Sequence, residues 1–378
     1  MEILKSNLFL FLCLFVVCSC NDKVSERPFV IDNENTTHIE QSEFDEMFKS
    51  VSVIPLETTE ECVVVNIKKI YEISGNIYIL SESSSGQTAL YRFDSKGRFL
   101  NRIGSMRNAR NEYKKINTFF VHEDEVYIID ANKKNMIRYS SDGTCIDVIE
   151  LGETLQFVND AQLLGDGKTL LLAYGINFNE SHPLYKLINL ETGDIVWELN
   201  TRYKANGNFP HSMYAITTYG QSPLLTLPID KTIYTLDTEK HVLDAMFDIN
   251  CYGKLNAPST DEYMDAEREQ ERGTLICGIF CADDVLVINF VTGCVVWNIV
   301  EERGVRLNHG VDYKTCKTIP CIPLSIVSAS DHYFVTSWDP DNLKNCLKDI
   351  GHTNLINDGI LTSISEKSNP ILVKHYLK

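Results

Sequence analysis

Cations are scarce in this chain of 378 residues: 35 Lys and Arg stand against 52 Asp and Glu, a formal net charge of −17. Without a surplus of positive charge to neutralise phosphate, nucleic acid and anionic membrane surfaces are disfavoured as partners of the folded surface. Long apolar runs are also missing. The most apolar stretch, Leu8 to Val17, is about ten residues behind a single Lys5, too short to span a bilayer and of the length of a signal-peptide core. Catalytic signatures are absent too: there is no nucleophile elbow, P-loop, HExxH or EF-hand loop. The nine His residues are scattered, so no metal ligand is assigned and no cofactor is required by the sequence. Nor is there a regular disulfide framework. Of twelve Cys, Cys13, Cys18 and Cys20 belong to the N-terminal leader, which leaves an odd number without regular spacing. Cys277, Cys281 and Cys294 fit small buried hydrophobes better than a metal site. Cys316 and Cys321 bracket a loop short enough for a bridge.

What the N-terminus does have is an address. Val17-Cys18-Ser19-Cys20 resembles the lipobox of bacterial lipoproteins, with Cys20 as the lipidated residue and 1–19 as the signal peptide; the competing reading is an ordinary secretory signal. Acyl chains stabilise membrane attachment by roughly 0.8 kcal/mol per buried CH₂, so lipidation would anchor the protein almost permanently. Residues 20–41 are polar, acidic and without periodicity, and are expected to form the lipidated Cys and a flexible tether of roughly 25 Å average reach.

The remainder, 42–378, is built from one repeated device. Leu90 to Ile103 predicts a strand, a tight turn at Asp94-Ser95-Lys96-Gly97 and a second strand; Asp can close such a turn with its side chain and Gly can accept positive φ. The device recurs at Met136 to Ile149, Leu184 to Leu199, Thr232 to Ile249 and Cys294 to Leu307, at spacings of 46, 51, 46 and 64 residues. Each copy is preceded by two further strand-like segments, and four strands per repeat of this length predict propeller blades. The last repeat supplies strands at Leu324 to Ala329, Tyr333 to Trp338 and Asn369 to Lys378 but lacks a fourth. Val51 to Leu56 is the spare strand. The expected fold is therefore an all-β, six-bladed β-propeller with four-stranded blades, its ring closed by an N-terminal strand completing the C-terminal blade. Helices are expected at Ser42 to Lys49, with Ser42 and Asp45 as a capping box, and as insertions near 259–272 and 339–350.

These residues carry a family resemblance. The opening VIPLETTEECVV, then IKKIYEISGNIYIL, the Asp94 to Gly97 hairpin, Arg102-Ile103-Gly104, Asn111-Glu112-Tyr113 and the terminal NPILVKHYLK look like the six-bladed β-propeller lipoproteins of Bacteroides-type bacteria. The resemblance covers about Val51 to Lys378. In that family the connection after the first blade is a Gly-rich turn ending Gly-Pro-Gly-Glu-Tyr, similar to the signature of NHL-like repeats. Here Glu112 and Tyr113 are kept while the Gly and Pro residues are replaced, so any close backbone contact that the Gly-rich loop makes with a ligand is expected to be altered or lost. The resemblance implies a cell-envelope protein, an outer-membrane lipoprotein with its face undetermined.

Two connections have the residues for recognition. Arg107, Arg110, Glu112 and Tyr113 place cations, a carboxylate and a ring between blades, suited to an acidic ligand such as a uronic acid; solvated charges and a packed Tyr113 are the competing reading. Thr201 to Gln221 carries His211 and Tyr214 among several rings, suited to stacking on sugars or to folding over itself. The expected function is a membrane-anchored binding or protein-interaction module with a glycan, peptide or envelope protein as partner. The alternative is a propeller enzyme, a lyase or lactone hydrolase, with a divalent metal at the channel mouth.

Overall fold

All five hairpins form the outer halves of four-stranded antiparallel sheets. The computed structural model describes residues 28–378 apart from 175, 178–182, 201–207, 210–215, 228–230, 251–275, 291, 309, 352–364 and 366. Six sheets stand in a ring. The first blade comprises Asn66–Ile73, Asn76–Glu82, Thr88–Asp94 and Phe99–Arg102, and the second Thr118–His122, Glu125–Asp130, Asn135–Ser140 and Cys145–Glu150. The third is Val158–Leu163, Thr169–Tyr174, Pro183–Asn189 and Ile195–Asn200; the fourth is Ile216–Tyr219, Ser222–Thr226, Thr232–Asp237 and Val242–Ile249. Ile276–Ala282, Val285–Phe290, Gly293–Asn298 and Arg303–Asn308 make the fifth. Innermost strands contact one another in sequence, and that of the sixth blade meets that of the first.

Burial explains why some strands alternate and others do not. The second strand of a blade lies between two neighbouring blades, so both of its faces are covered: all of Val285–Phe290 and nearly all of Thr169–Tyr174 are buried. Such strands are continuous hydrophobic runs. Outer strands have a solvent side and alternate, as in Ile195–Asn200. The core sits between blades. Tyr78, Leu80 and Leu90 of the first blade pack with Phe119, Ile128 and Ile137 of the second.

The sixth blade is closed from both ends of the domain, as the sequence predicts. Ile326–Ser330, Tyr333–Trp338 and Ile371–Leu377 are joined by Phe48–Pro55, which pairs antiparallel with Ile371–Leu377 from Ile371↔Pro55 to Leu377↔Phe48. The strand begins at Phe48 rather than Val51, so the preceding helix, α1, is Gln41–Asp45, shorter than expected. Its capping box is formed by Glu40 and Glu43, not by Ser42 and Asp45. Asp45 instead turns inward, where its Oδ1 accepts from Gln41 Nε2 at 2.8 Å and from the Cys321 N–H at 3.0 Å.

The stretch expected as a flexible tether differs most. Phe29–Ile31 adds to the outer edge of the fourth blade and Thr36–His38 to that of the fifth, both parallel to the strand they join. Ile31 is fully buried and Phe29 stacks on Phe247 at 5.7 Å. Three residues paired through their backbone to an open edge need no alternating pattern, so the composition of 20–41 gave no sign of them. With Phe48–Pro55, this arm belts three consecutive blades.

Helix α2, Pro340–Asp349, starts at Asp339, whose side chain accepts from the N–H groups of Asp341 and Asn342. It buries Leu343, Cys346 and Leu347 against Trp338, Ile319 and Ile371. The expected helix near 259–272 lies outside the described residues, as do 1–27 with Cys20. Cys316 and Cys321 are free and buried with no bridge between them, whereas Cys277 is exposed rather than a core residue.

Candidate functional site

Strand direction sorts the connections between two faces. Those linking first to second and third to fourth strands are short turns on one face, such as 74–75, 95–98, 123–124 and 141–144. Connections between blades, and from second to third strands, emerge on the other face and, among the described residues, include 56–65, 103–117, 310–325 and the helix Pro340–Asp349. Chain length for recognition is thus concentrated on one side.

Two clusters of paired polar side chains involve the inner strands. Lys69, on the innermost strand of the first blade, donates from Nζ to Asp160 Oδ1 at 2.5 Å, to the Ala161 carbonyl at 3.1 Å and to Thr118 Oγ1 at 3.4 Å. Asp160 Oδ2 accepts from the Ile216 N–H at 3.3 Å. One ion pair therefore joins the innermost strands of four blades. Elsewhere Glu72 accepts from Lys374 and from the Tyr333 hydroxyl, and the Lys374 ammonium stands 4.5 Å from the Tyr333 ring. Among the described residues, no group of three or more His, Cys, Asp and Glu is placed to hold a metal ion.

Open space lies instead at the first blade, between 57–65 and 103–117. A cleft of about 560 Å³ runs along the outer strand, lined by Glu60, Glu61, Val63, Tyr91 and Phe99 to Arg102. A second, of about 320 Å³, lies over the loop face and is lined by Val63, Val65, Ser83, Gln87, Tyr91, Arg102, Ser105 and Arg107, among others. Val63, Tyr91 and Arg102 are common to both, so Arg102 stands where they meet.

Arg102 is held from behind. Its Nε and Nη2 donate to the Tyr113 hydroxyl at 3.2 and 2.9 Å. Tyr113 is fully buried, and burial pushes its hydroxyl above the ordinary tyrosine range, so the partner is a neutral phenol and not an anion. Among the described residues, no carboxylate pairs with this guanidinium. The connection that carries Tyr113 is itself fixed: Lys133 Nζ donates to the carbonyls of Ala109 and Glu112, both at 2.7 Å, and the Tyr139 hydroxyl donates to that of Asn111 at 2.9 Å.

The residues singled out in the sequence separate accordingly. Arg107 lines the smaller cleft, with its Nη1 3.8 Å from Glu112 Oε1. Glu112 is turned to Ser105, whose Oγ donates to it at 2.8 Å. Tyr113 supports the cleft from the core and presents no surface. Arg110 faces outward to Glu150 at 3.5 Å. His211 and Tyr214 lie outside the described residues. Arg102 was missed because nothing in a strand-end Arg announces that a buried Tyr eleven residues on will claim one side of it. A long connection ending in a buried ring was the available signal.

A family model described as a domain of unknown function, DUF4934, matches residues 28–376. The chain belongs to the DUF4934 family. A search of curated proteins finds no match. Among solved structures, this DUF4934 chain is similar to a Bacteroides fragilis protein described as exported, with 19% identity and a TM-score of 0.69 over 93% of this chain and 100% of that one. It is also similar to a duf4221 family member from Bacteroides vulgatus, with 11% identity and a TM-score of 0.51 over 88% and 97% of the two chains. At such identities the likeness is one of fold.

Proposed function

We propose that this protein is an envelope-anchored binding module that presents the long-connection face of its propeller to a glycan, peptide or envelope protein. The observation that carries this reading is the blade-one cleft system, where an exposed Arg102 is fixed by Tyr113 and has no ion-pair partner among the described residues. A side chain oriented in this way, on a chain rich in carboxylates that do not use it, is suited to a ligand from outside.

Anchoring rests on Cys20 and the lipobox-like residues before it. The family match begins at residue 28 and the first described strand at Phe29, a few residues after Cys20 in sequence. Export fits the description of the Bacteroides fragilis protein of the same fold. An outer-membrane lipoprotein of the Bacteroides type, with NHL-like repeats, is the form this reading takes.

The test is capture of ligand by the mature protein, using arrays of envelope glycans and peptides together with crosslinking in native membranes. Specific retention blocked by substitutions at Val63, Arg102 or Arg107, which line the cleft, supports the module. Recovery only as a free monomer, with no retained ligand, overturns it. Mass spectrometry of the mature N-terminus should find an acylated Cys20; an unmodified N-terminus at another residue overturns the anchor.

A further inference from the structure

We infer that the smaller blade-one cleft is a subsite for a sugar carboxylate, a uronate at one end of an oligosaccharide, with Arg102 as its principal ligand-binding residue; this rests on the binding-module reading above. Charge distribution is the first ground. The lining of the 320 Å³ cleft contains two guanidinium groups, Arg102 and Arg107, and no Asp or Glu, on a chain where acids outnumber bases 52 to 35. Geometry is the second. With Nε and one Nη2 hydrogen committed to Tyr113, both hydrogens of Nη1 and the second of Nη2 remain for a carboxylate, which a planar guanidinium can receive through two parallel bonds.

The adjoining space selects the rest of the ligand. The 560 Å³ cleft carries Glu60, Glu61 and Asn101 beside Phe99 and Leu100. A second carboxylate there would meet like charge, whereas hydroxyl groups can donate to the two Glu side chains and ring C–H faces can lie on the apolar wall. Gln87 adds an exposed amide to the smaller cleft. A ligand that is anionic at one end and hydroxylated beyond it matches both halves, and Val63 and Tyr91 make the wall they share.

Titration calorimetry with trigalacturonate, and with the same trisaccharide as its methyl ester, tests this. Wild-type protein should bind the acid and not the ester, with affinity falling as salt rises. Arg102→Gln should weaken binding by about 10- to 100-fold, the usual loss for a charge-assisted pair, and Arg102→Lys by less. Arg110→Gln, which faces Glu150, should leave it unchanged. Unaltered melting temperatures separate these effects from unfolding. Equal binding of acid and ester, or undiminished binding by a folded Arg102→Gln, overturns the subsite even where the protein still retains another ligand. Binding of a peptide C-terminal carboxylate with no binding of the uronate overturns it as well.

Discussion

Gly143, in the outer turn of the second blade, lies against the main-chain carbonyl of Arg102 on the first: a Cβ at Gly143 would stand 2.6 Å from that oxygen. One blade earlier the relationship repeats, with a Cβ at Gly97 only 2.2 Å from the Pro55 carbonyl oxygen. The repeated Asp-to-Gly turn therefore does two things. Its Gly accepts positive φ, +82° at Gly97 and +88° at Gly143, and lets the first and second blades dock on the strand end of the one before.

Substitution separates these two roles. Gly75 has φ +74° but nothing within 4 Å of its would-be Cβ, so Gly75→Ala should cost only left-handed strain, about 1 kcal/mol. Gly97→Ala and Gly143→Ala add a clash with fixed backbone and should cost about 2–4 kcal/mol. Urea unfolding of the three variants checks this, and equal losses would remove docking from the explanation.

The Lys69–Asp160 pair gives a second expectation. Both side chains are largely buried and each has further partners on neighbouring strands. Lys69→Met strands the Asp160 carboxylate and should cost about 3–5 kcal/mol. Adding Asp160→Asn removes the uncompensated charge, so the double variant should recover much of that loss. A double-mutant cycle with additive effects would mean that the pair does not couple the blades.

Ring architecture was legible because each blade repeats its own signals: Asp94 to Gly97 and Ser140 to Gly143 mark turns, and runs such as Leu170 to Tyr174 mark strands covered on both faces. Closure by Phe48–Pro55 was legible from a count of strands, since the last blade lacked one. The arm was not, because Phe29–Ile31 and Thr36–His38 gain order from edges hundreds of residues away. The site was legible in half. The connection that carries Arg107 and Tyr113 borders the cleft, yet the ring's place depends on depth: Tyr113 is fully buried. Arg102, on a strand, acquires its orientation only from that tertiary contact.

The arm yields a third prediction. Ile31 is fully buried among Phe247, Ile249 and Trp297, so Ile31→Ala should destabilise by about 2–4 kcal/mol. Removal of 28–38 should have a further effect, because the outer edges of blades four and five would then offer unpaired N–H and C=O groups. Size-exclusion chromatography should show concentration-dependent association of the truncated protein and a monodisperse Ile31→Ala. Truncated protein that behaves as the full chain would make the arm dispensable for protecting those edges.

Two buried groups set opposing pH dependences. His375 is fully buried, with Nε2 2.9 Å from Thr336 Oγ1 and no hydrogen-bond partner at Nδ1 among the described residues, and burial pushes it from 6.5 down to about 3. Below pH 6.5 the unfolded chain takes up a proton that the native state refuses, so stability falls as pH drops from about 6.5 toward 3, by roughly 4 kcal/mol in all. Asp45 is the reverse case. Burial pushes its carboxyl from 3.8 up to about 6, against the opposing bonds from Gln41 and Cys321. Between those values the native state holds a proton that the unfolded chain has lost, so stability falls as pH rises through the window, leaving a penalty of about 3 kcal/mol at neutral pH. Asp45→Asn keeps the acceptor for Gln41 and the Cys321 N–H and removes the charge, so it should stabilise at pH 7 and have little effect at pH 4. His375→Gln should flatten the acid limb while lowering stability at pH 7 through poorer packing against Phe48. Urea midpoints from pH 4 to 8 read both. An Asp45→Asn gain that is as large at pH 4 as at pH 7 would show that the buried charge is not its source.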